Sequence, residues 1–341
     1  MHDNLGSKDH FNDNMAFYDS NWVDAWHCNL IDNSNWTKKL TKNVINDVDC
    51  KAFWAFGEQK VGPFRFISLA GNFFPFRGVH ISKGCREAIT AVSNELTSQV
   101  DYAFRAGPTL KDDKFNRELV VTLKNKGWIV LTTALGWNYI VNLPIDIDEL
   151  ISAKRKKKIR YYWKAINKVG SGEIIHFNDI CADRWKGVFS DLSQIESKAW
   201  ISQKGEPRFL GVNNQRYWNQ LIQNTAFSKN LNIWVMFLDS KPVSYVTTMD
   251  TKTTRFVLSN SYIDEVKDFS TGKKLYLEMI TNAIDNQMKN LDIGFGDSGY
   301  KQEWGAEKKS EVIDLFAFPP TIRGRLTRYI FEIKKNLIKI L

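Results

Sequence analysis

Asp268–Lys274 (DFSTGKK) brings together residue types that can hold an anion. It leads into Lys273–Lys289, where Leu275, Leu277, Met279, Ile280, Ala283 and Ile284 give an amphipathic pattern, so the segment sits where a helix begins. A helix start presents free N–H groups and the positive end of the helix dipole, which suits phosphate. Ser270 or Thr271 can cap that helix, Gly272 allows close backbone approach, and Lys273 and Lys274 add charge. An ordinary capped helix satisfies the same letters. Two carboxylates stand out beside it. Asp292 lies inside the apolar run Leu291–Phe295. Desolvated there, it would have a raised pKa and suit a general base. A buried Asp paired with a Lys or Tyr is the other reading. Glu196 closes a helical stretch and is a second candidate base, or part of a solvated face.

Other motifs lead nowhere. Gly294-Phe-Gly296-Asp-Ser-Gly299 fits G-x-G-x-x-G after a strand, but only about 12 residues separate it from the next strand-like run, too few for a dinucleotide βαβ unit. Thr271-Gly272-Lys273 resembles a P-loop end, yet Lys267 and Lys274 occupy its glycine and Ser/Thr positions. No G-x-S-x-G occurs, and five histidines without H-x-x-x-H spacing give no support to zincins or hydrolase triads. The four cysteines (Cys28, Cys50, Cys85, Cys181) form no C-x₂-C pair, so no metal is expected. None lies in the candidate segments, which disfavours a covalent Cys enzyme.

Positioning these residues takes a chain of 341 residues, long enough for two domains. Its 43% apolar and 25% charged residues exclude a disordered or collagen-like polymer. The net charge of +9 is local: Lys154–Arg160 (KRKKKIR) and Arg323–Leu341 hold the whole excess. A polar start and the lack of a long apolar run read as a cytoplasmic chain with reduced thiols.

In the first half, the pattern predicts a helix over 21–40, strands over 52–56 and 64–70 around a Gly57–Gly62 turn, and a helix over 83–99. A strand over 101–106 ended by Gly107-Pro108, a helix over 114–125 and β structure over 128–143 follow. The second half predicts a charged helix over 147–169 and a strand over 173–177. Helices over 182–200 and 215–228 come next, then strands over 232–238, 242–249 and 255–263. The 273–289 helix, a strand over 291–295, a short helix near 300–304 and a strand over 312–318 complete it. The domains are expected at 1–150 and 151–318, with a basic amphipathic helix over 319–341.

That second-half order, strand, two helices, three strands, then helix and strand, resembles the acyl-CoA transferases of the GNAT superfamily. The first half is a shorter version, suggesting an internal duplication. Leu291-Asp-Ile-Gly-Phe-Gly-Asp-Ser-Gly-Tyr300-Lys301-Gln-Glu-Trp304 resembles the D-F-G-x-G-x-x-x-Y-K-x-x-W signature of the CelD-like acetyltransferases. Ser259–Asp264 with Phe269–Gly272, and Glu196-Ser-Lys-Ala-Trp200, resemble two further passages of that family, with Thr271 replacing a proline.

The resemblance implies an α/β fold with mixed sheets: two tandem GNAT-like domains, the first degenerate, plus the C-terminal helix. It implies an acyl-CoA co-substrate held by Ser270, Thr271, Gly272, Lys273 and Lys274. Catalysis would fall to Asp292, Glu196 and Tyr300, the tyrosine donating to the departing thiolate. Lys301, Trp304 and Tyr262 would shape the acceptor site. The implied reaction is N- or O-acylation of an amino sugar, nucleotide- or lipid-linked, in surface polysaccharide synthesis.

Two rivals remain. A Fem-type transferase would draw on aminoacyl-tRNA, gripped by Lys154–Arg160. A non-catalytic module would bind nucleic acid or anionic lipid. Separately, Ile322, Leu326, Tyr329, Ile330, Ile333, Leu337, Ile340 and Leu341 form an apolar stripe among six cations. That pattern suits either an anionic membrane surface on the inner face or packing on the protein's own second domain.

Overall fold

The computed structural model describes residues 20–31, 35–46, 51–71, 76, 78–81, 86–99, 102–203, 207–296 and 299–340. Cys50, Cys85, Asp297, Ser298 and Leu341 lie outside the described residues. The chain divides into two compact units, Met1–Trp137 with Ser310–Leu341, and Asn138–Lys309. The expected boundaries at 150 and 318 differ from these because each division falls inside a long strand.

The first unit begins with α1 (Ser20–Asn29), β1 (Trp36–Asn46), β2 (Lys51–Val61), β3 (Phe64–Leu69) and β4 (His80–Ile81). Then come α2 (Arg86–Ser98), β5 (Ala103–Leu110), α3 (Lys114–Asn125) and β6 (Ile129–Asn142), whose last five residues belong to the second unit. The second unit continues with α4 (Ile147–Leu150), α5 (Ala153–Ile166), β7 (Gly172–Phe177), α6 (Ala182–Lys198), α7 (Trp200–Gln203), α8 (Val212–Ile222) and α9 (Thr225–Asn230). β8 (Leu231–Leu238), β9 (Lys241–Asp250), β10 (Thr254–Tyr262), a 3₁₀ turn (Asp264–Phe269), α10 (Thr271–Asp285), β11 (Asn290–Phe295) and α11 (Tyr300–Glu303) complete it. β12 (Glu307–Phe318) and α12 (Ile322–Ile340) return to the first unit.

In the first unit, β1, β2 and β3 pair antiparallel, β3 pairs parallel with β5, and β12 lies antiparallel on β5. In the second, β7 to β10 form an antiparallel series, β11 joins β10 parallel, and residues 138–142 of β6 lie antiparallel on β11. Three antiparallel strands, a helix and a parallel strand therefore occur once in each unit. The fold is mixed α/β with that motif doubled.

Four local expectations change. The first helix stops at Asn29, and the β-branched run that follows forms β1, with Trp36 edge-on to Trp26 at 5.1 Å. Gly57 makes no turn. It sits mid-strand because a Cβ there would lie 3.0 Å from the Trp36 ring. β5 passes through Gly107-Pro108, since Ala106 pairs with Leu315 and Thr109 with Ile313. The Gly-Pro pair thus bulges opposite Asp314, where no ladder bond is needed from proline. The charged helix breaks at Ile151, which is buried and extended, and Ser152 caps the resumed helix α5.

The strands of the first unit alternate between two cores. One holds Phe56, Leu69, Phe104 and Leu315 with α2 and α3 residues, and the other holds Phe66, Phe316 and Phe318 with Phe331 of α12. In the second unit, buried Arg255 on β10 chelates Asp250 through two 2.7 Å bonds and donates to the Met279 carbonyl of α10 at 2.8 Å. Its guanidinium lies 5.0 Å from the Trp234 ring, whose other partner is the His176 ring, stacked at 4.2 Å. This cluster ties α10 to the strand that leads to the site.

Candidate active site

β10 and β11 pair only at Thr254–Phe256 against Asn290–Asp292, after which the parallel strands separate. Asp292 and Lys301 brace β11 at and just beyond the end of that pairing. The buried Asp292 carboxylate accepts from the Gly294 N–H at 2.7 Å and from Asn138 Nδ2 at 2.8 Å. Lys301 Nζ, also buried, donates to the Gly294 and Phe295 carbonyls at 2.8 and 3.0 Å. Gly294 has φ +77°, a conformation that disfavours any side chain, and there β11 turns away from β10. At Gly294 the glycine motif therefore makes a bend at the end of a strand.

Between the ends of β9 and β10 and the start of α10 lies a cavity of about 440 Å³. Its lining includes Tyr262 at the end of β10, Ser270, Thr271, Gly272 and Lys273 at the start of α10, and Tyr300 and Trp304. Ser270 is left-handed (φ 50°) and its side chain caps nothing, while its carbonyl takes the Lys273 N–H at 2.9 Å, so the side chain leaves the Thr271 and Gly272 N–H groups uncovered. Thr271 is buried, and its Oγ1 finds no hydrogen-bond partner. A Cβ at Gly272 would meet open space. An orphaned hydroxyl at an uncapped helix start fits a phosphate group.

Tyrosines line another part. The Tyr300 hydroxyl lies 3.3 Å from that of Tyr276, which also takes a 3.2 Å bond from Asn260 Nδ2. Burial, then the neighbouring Tyr300, pushes the Tyr276 phenol well above its usual pKa. Trp304 stacks on Tyr276 at 5.6 Å, and the Arg155 guanidinium lies 5.0 Å from the Trp304 ring.

Seven of the expected residues thus meet at the cavity. Four stand apart from its lining. Lys274 pairs with Glu278 and lies 5.4 Å from the Trp163 ring. Asp292 and Lys301 brace the bend. Glu196 is fully buried, accepting from the Phe209 and Arg208 N–H groups at 2.6 and 2.9 Å and from Tyr245 Oη at 2.6 Å. Burial raises its carboxyl above the usual range, against those hydrogen bonds. Glu196 reaches the cavity only through Tyr245, which lines it.

The sequence reading missed Tyr276, Asn260 and Tyr245, whose letters look like ordinary strand and helix interior. It also missed Glu303, which bridges Lys273 at 2.9 Å and Arg155 at 2.7 Å. The Lys273 bond first, with Arg155, holds the Glu303 carboxyl below its usual range. Around this bridge a second cavity of about 270 Å³ is lined by Lys154, Arg155, Lys158 and Lys273.

Residues 153–302 match the acetyltransferase (GNAT) domain family. The matched stretch runs from α5 into α11 and holds most of the lining of both cavities, with Ser152, Glu303 and Trp304 just outside it. No curated protein matches the sequence. Among solved structures, FemX is similar with a TM-score of 0.55 at 11% identity, over 91% of this chain and 93% of that one. A conserved protein of unknown function from Bacteroides thetaiotaomicron VPI-5482 gives 0.54 at 16%, over 91% and 92%. L-PGS from Bacillus licheniformis gives 0.50 at 13%, over 89% and 93%. These identities speak for the fold alone.

Proposed function

We propose that the protein is an acyl-CoA-dependent acyltransferase. The observation that carries this reading is the cavity at the start of α10, lined by both Thr271, whose hydroxyl is unpartnered, and Tyr300. The first N–H groups of α10, Thr271 Oγ1 and Lys273 would hold the pyrophosphate. The co-substrate supplies a thioester carbonyl. An acceptor amine or hydroxyl attacks the carbonyl carbon directly as the C–S bond breaks, Tyr300, hydrogen-bonded to Tyr276, gives its proton to the departing thiolate, and the proton lost by the acceptor returns through solvent to the Tyr300 phenolate. Asp292 and Lys301 act as positioning residues that brace the end of β11, and Glu196 positions Tyr245 in the cavity wall. The family resemblance makes an amino sugar of surface polysaccharide synthesis, nucleotide- or lipid-linked, the acceptor.

The basic cavity favours one second reading, in which Lys154, Arg155 and Lys158 grip RNA phosphates and the donor is an aminoacyl-tRNA. The experiment compares melting of the purified chain with coenzyme A, acetyl-CoA, longer thioesters and charged tRNA. Coenzyme A thioesters should raise Tm, because a ligand of the native state stabilises it. Thr271→Val with Lys273→Ala should shrink that rise. Tyr300→Phe should keep the rise while turnover drops roughly 10²-fold or more. If no thioester moves the curve and charged tRNA does, the donor is the tRNA.

A further inference from the structure

α12 has two apolar faces. One packs inward: Phe331 meets Phe316 at 4.5 Å, Phe318 at 5.7 Å, Phe64 at 5.9 Å and Phe66 at 6.0 Å, and Gly324 is buried beside Pro319. The other is bare. Ile322 is 89% exposed, Tyr329 60%, Leu326 57%, Ile333 42% and Ile330 39%. At the helical step these five fall within an arc of about 100°, and Phe331 lies about 150° from its centre. The exposed stripe is therefore not the face that holds the helix to its own unit. Cations border it on both sides, Arg325 along one edge, Arg323 and Lys334 along the other, all exposed. Acid is scarce: Glu332 is the helix's one carboxylate, and it pairs with Arg328 at 3.8 Å on the inward half.

We propose that this outer face of α12 docks on an anionic lipid surface, lying in the interface parallel to it. An apolar arc flanked by arginine and lysine matches hydrocarbon below a layer of negative headgroups. A protein partner would meet the same apolar residues without calling for cations on both margins. Among the described residues no helix is long and apolar enough to cross a membrane, so docking is peripheral. The surface belongs to the first unit and shares no residue with the acyl-donor cavity. Its test is thus independent of the proposed activity.

The test is sedimentation of the full chain with vesicles of phosphatidylcholine alone and of phosphatidylcholine with phosphatidylglycerol. The wild type should pellet with the anionic vesicles, less so as salt rises. Leu326→Asp with Ile330→Asp should abolish pelleting, and Arg323→Ala with Arg325→Ala should weaken it about tenfold or more. Both pairs alter exposed side chains, so their melting curves should stay near the wild type. A wild type that ignores anionic vesicles overturns the proposal. So does a wild-type dimer by light scattering that Leu326→Asp converts to monomer without any vesicle binding, which would give the face to a second copy.

Discussion

Asp292 and Lys301 show how two charged residues can serve a site without entering it. Each is buried, and each holds the backbone around Gly294, Asp292 also accepting from the Asn138 side chain. Removing one partner of such a buried contact leaves the other unsatisfied, at a cost of about 1–3 kcal/mol. Asp292→Asn and Lys301→Met should therefore each lower the melting temperature by several degrees. Turnover per folded molecule should fall less for Asp292→Asn than for Tyr300→Phe. Calorimetry beside a thiol-release assay checks this. A normal melting curve with turnover lowered 10²-fold or more would instead make Asp292 the base.

The elements that carry the cavity are tied together by the polar stack beneath β10. His176 on β7 bonds to Asn232 at 2.9 Å, stacks on Trp234 and stands behind it from Arg255. Burial, then the nearby Arg255 cation, lowers its pKa from 6.5, while Asn232 and Asp250 oppose the shift. The unfolded chain thus binds this proton more readily than the folded one. The stabilising contribution is present in full above pH 6.5 and is lost as pH falls through the lowered folded value. Melting temperatures measured from pH 8 down to about 5 should decline in the acid part of the range. His176→Phe keeps an aromatic ring against Trp234 and should flatten that decline. An unchanged slope in the variant would assign it to other groups.

At the scale of the whole molecule, the doubled strand–helix–strand motif carries different loads in its two copies. Both cavities described here belong to the second unit. The first ends in α12, whose Phe331 covers Phe66, Phe316 and Phe318. Phe331→Ala should cost about 2 kcal/mol, below the range for a fully buried Phe because this ring is only partly buried. A chain cut at Pro320 should lose more and expose the aromatic patch. Denaturant melts of both against the wild type give the comparison. Equal midpoints would mean that the inner face of α12 adds nothing to the fold.

The order of elements in the second unit was legible in the sequence because it rests on local patterns: alternation for strands, three- and four-residue steps for helices, and Ser-Thr-Gly at a helix start. So was the gathering of Ser270–Lys273, Tyr262, Tyr300 and Trp304, which lie at or near the ends of elements that the motifs mark. What a residue pairs with is not local. Gly57 reads as a turn until Trp36 is seen over it, and Gly107-Pro108 reads as a stop until Asp314 is found opposite the bulge. Asp292 reads as a general base and Lys301 as part of the acceptor site until their hydrogen bonds are traced to the bend at Gly294. The apolar stripe of α12 is visible in its spacing, but spacing cannot say which side faces inward. Only the tertiary packing of Phe331 decided that, since burial depends on segments hundreds of residues away in the chain.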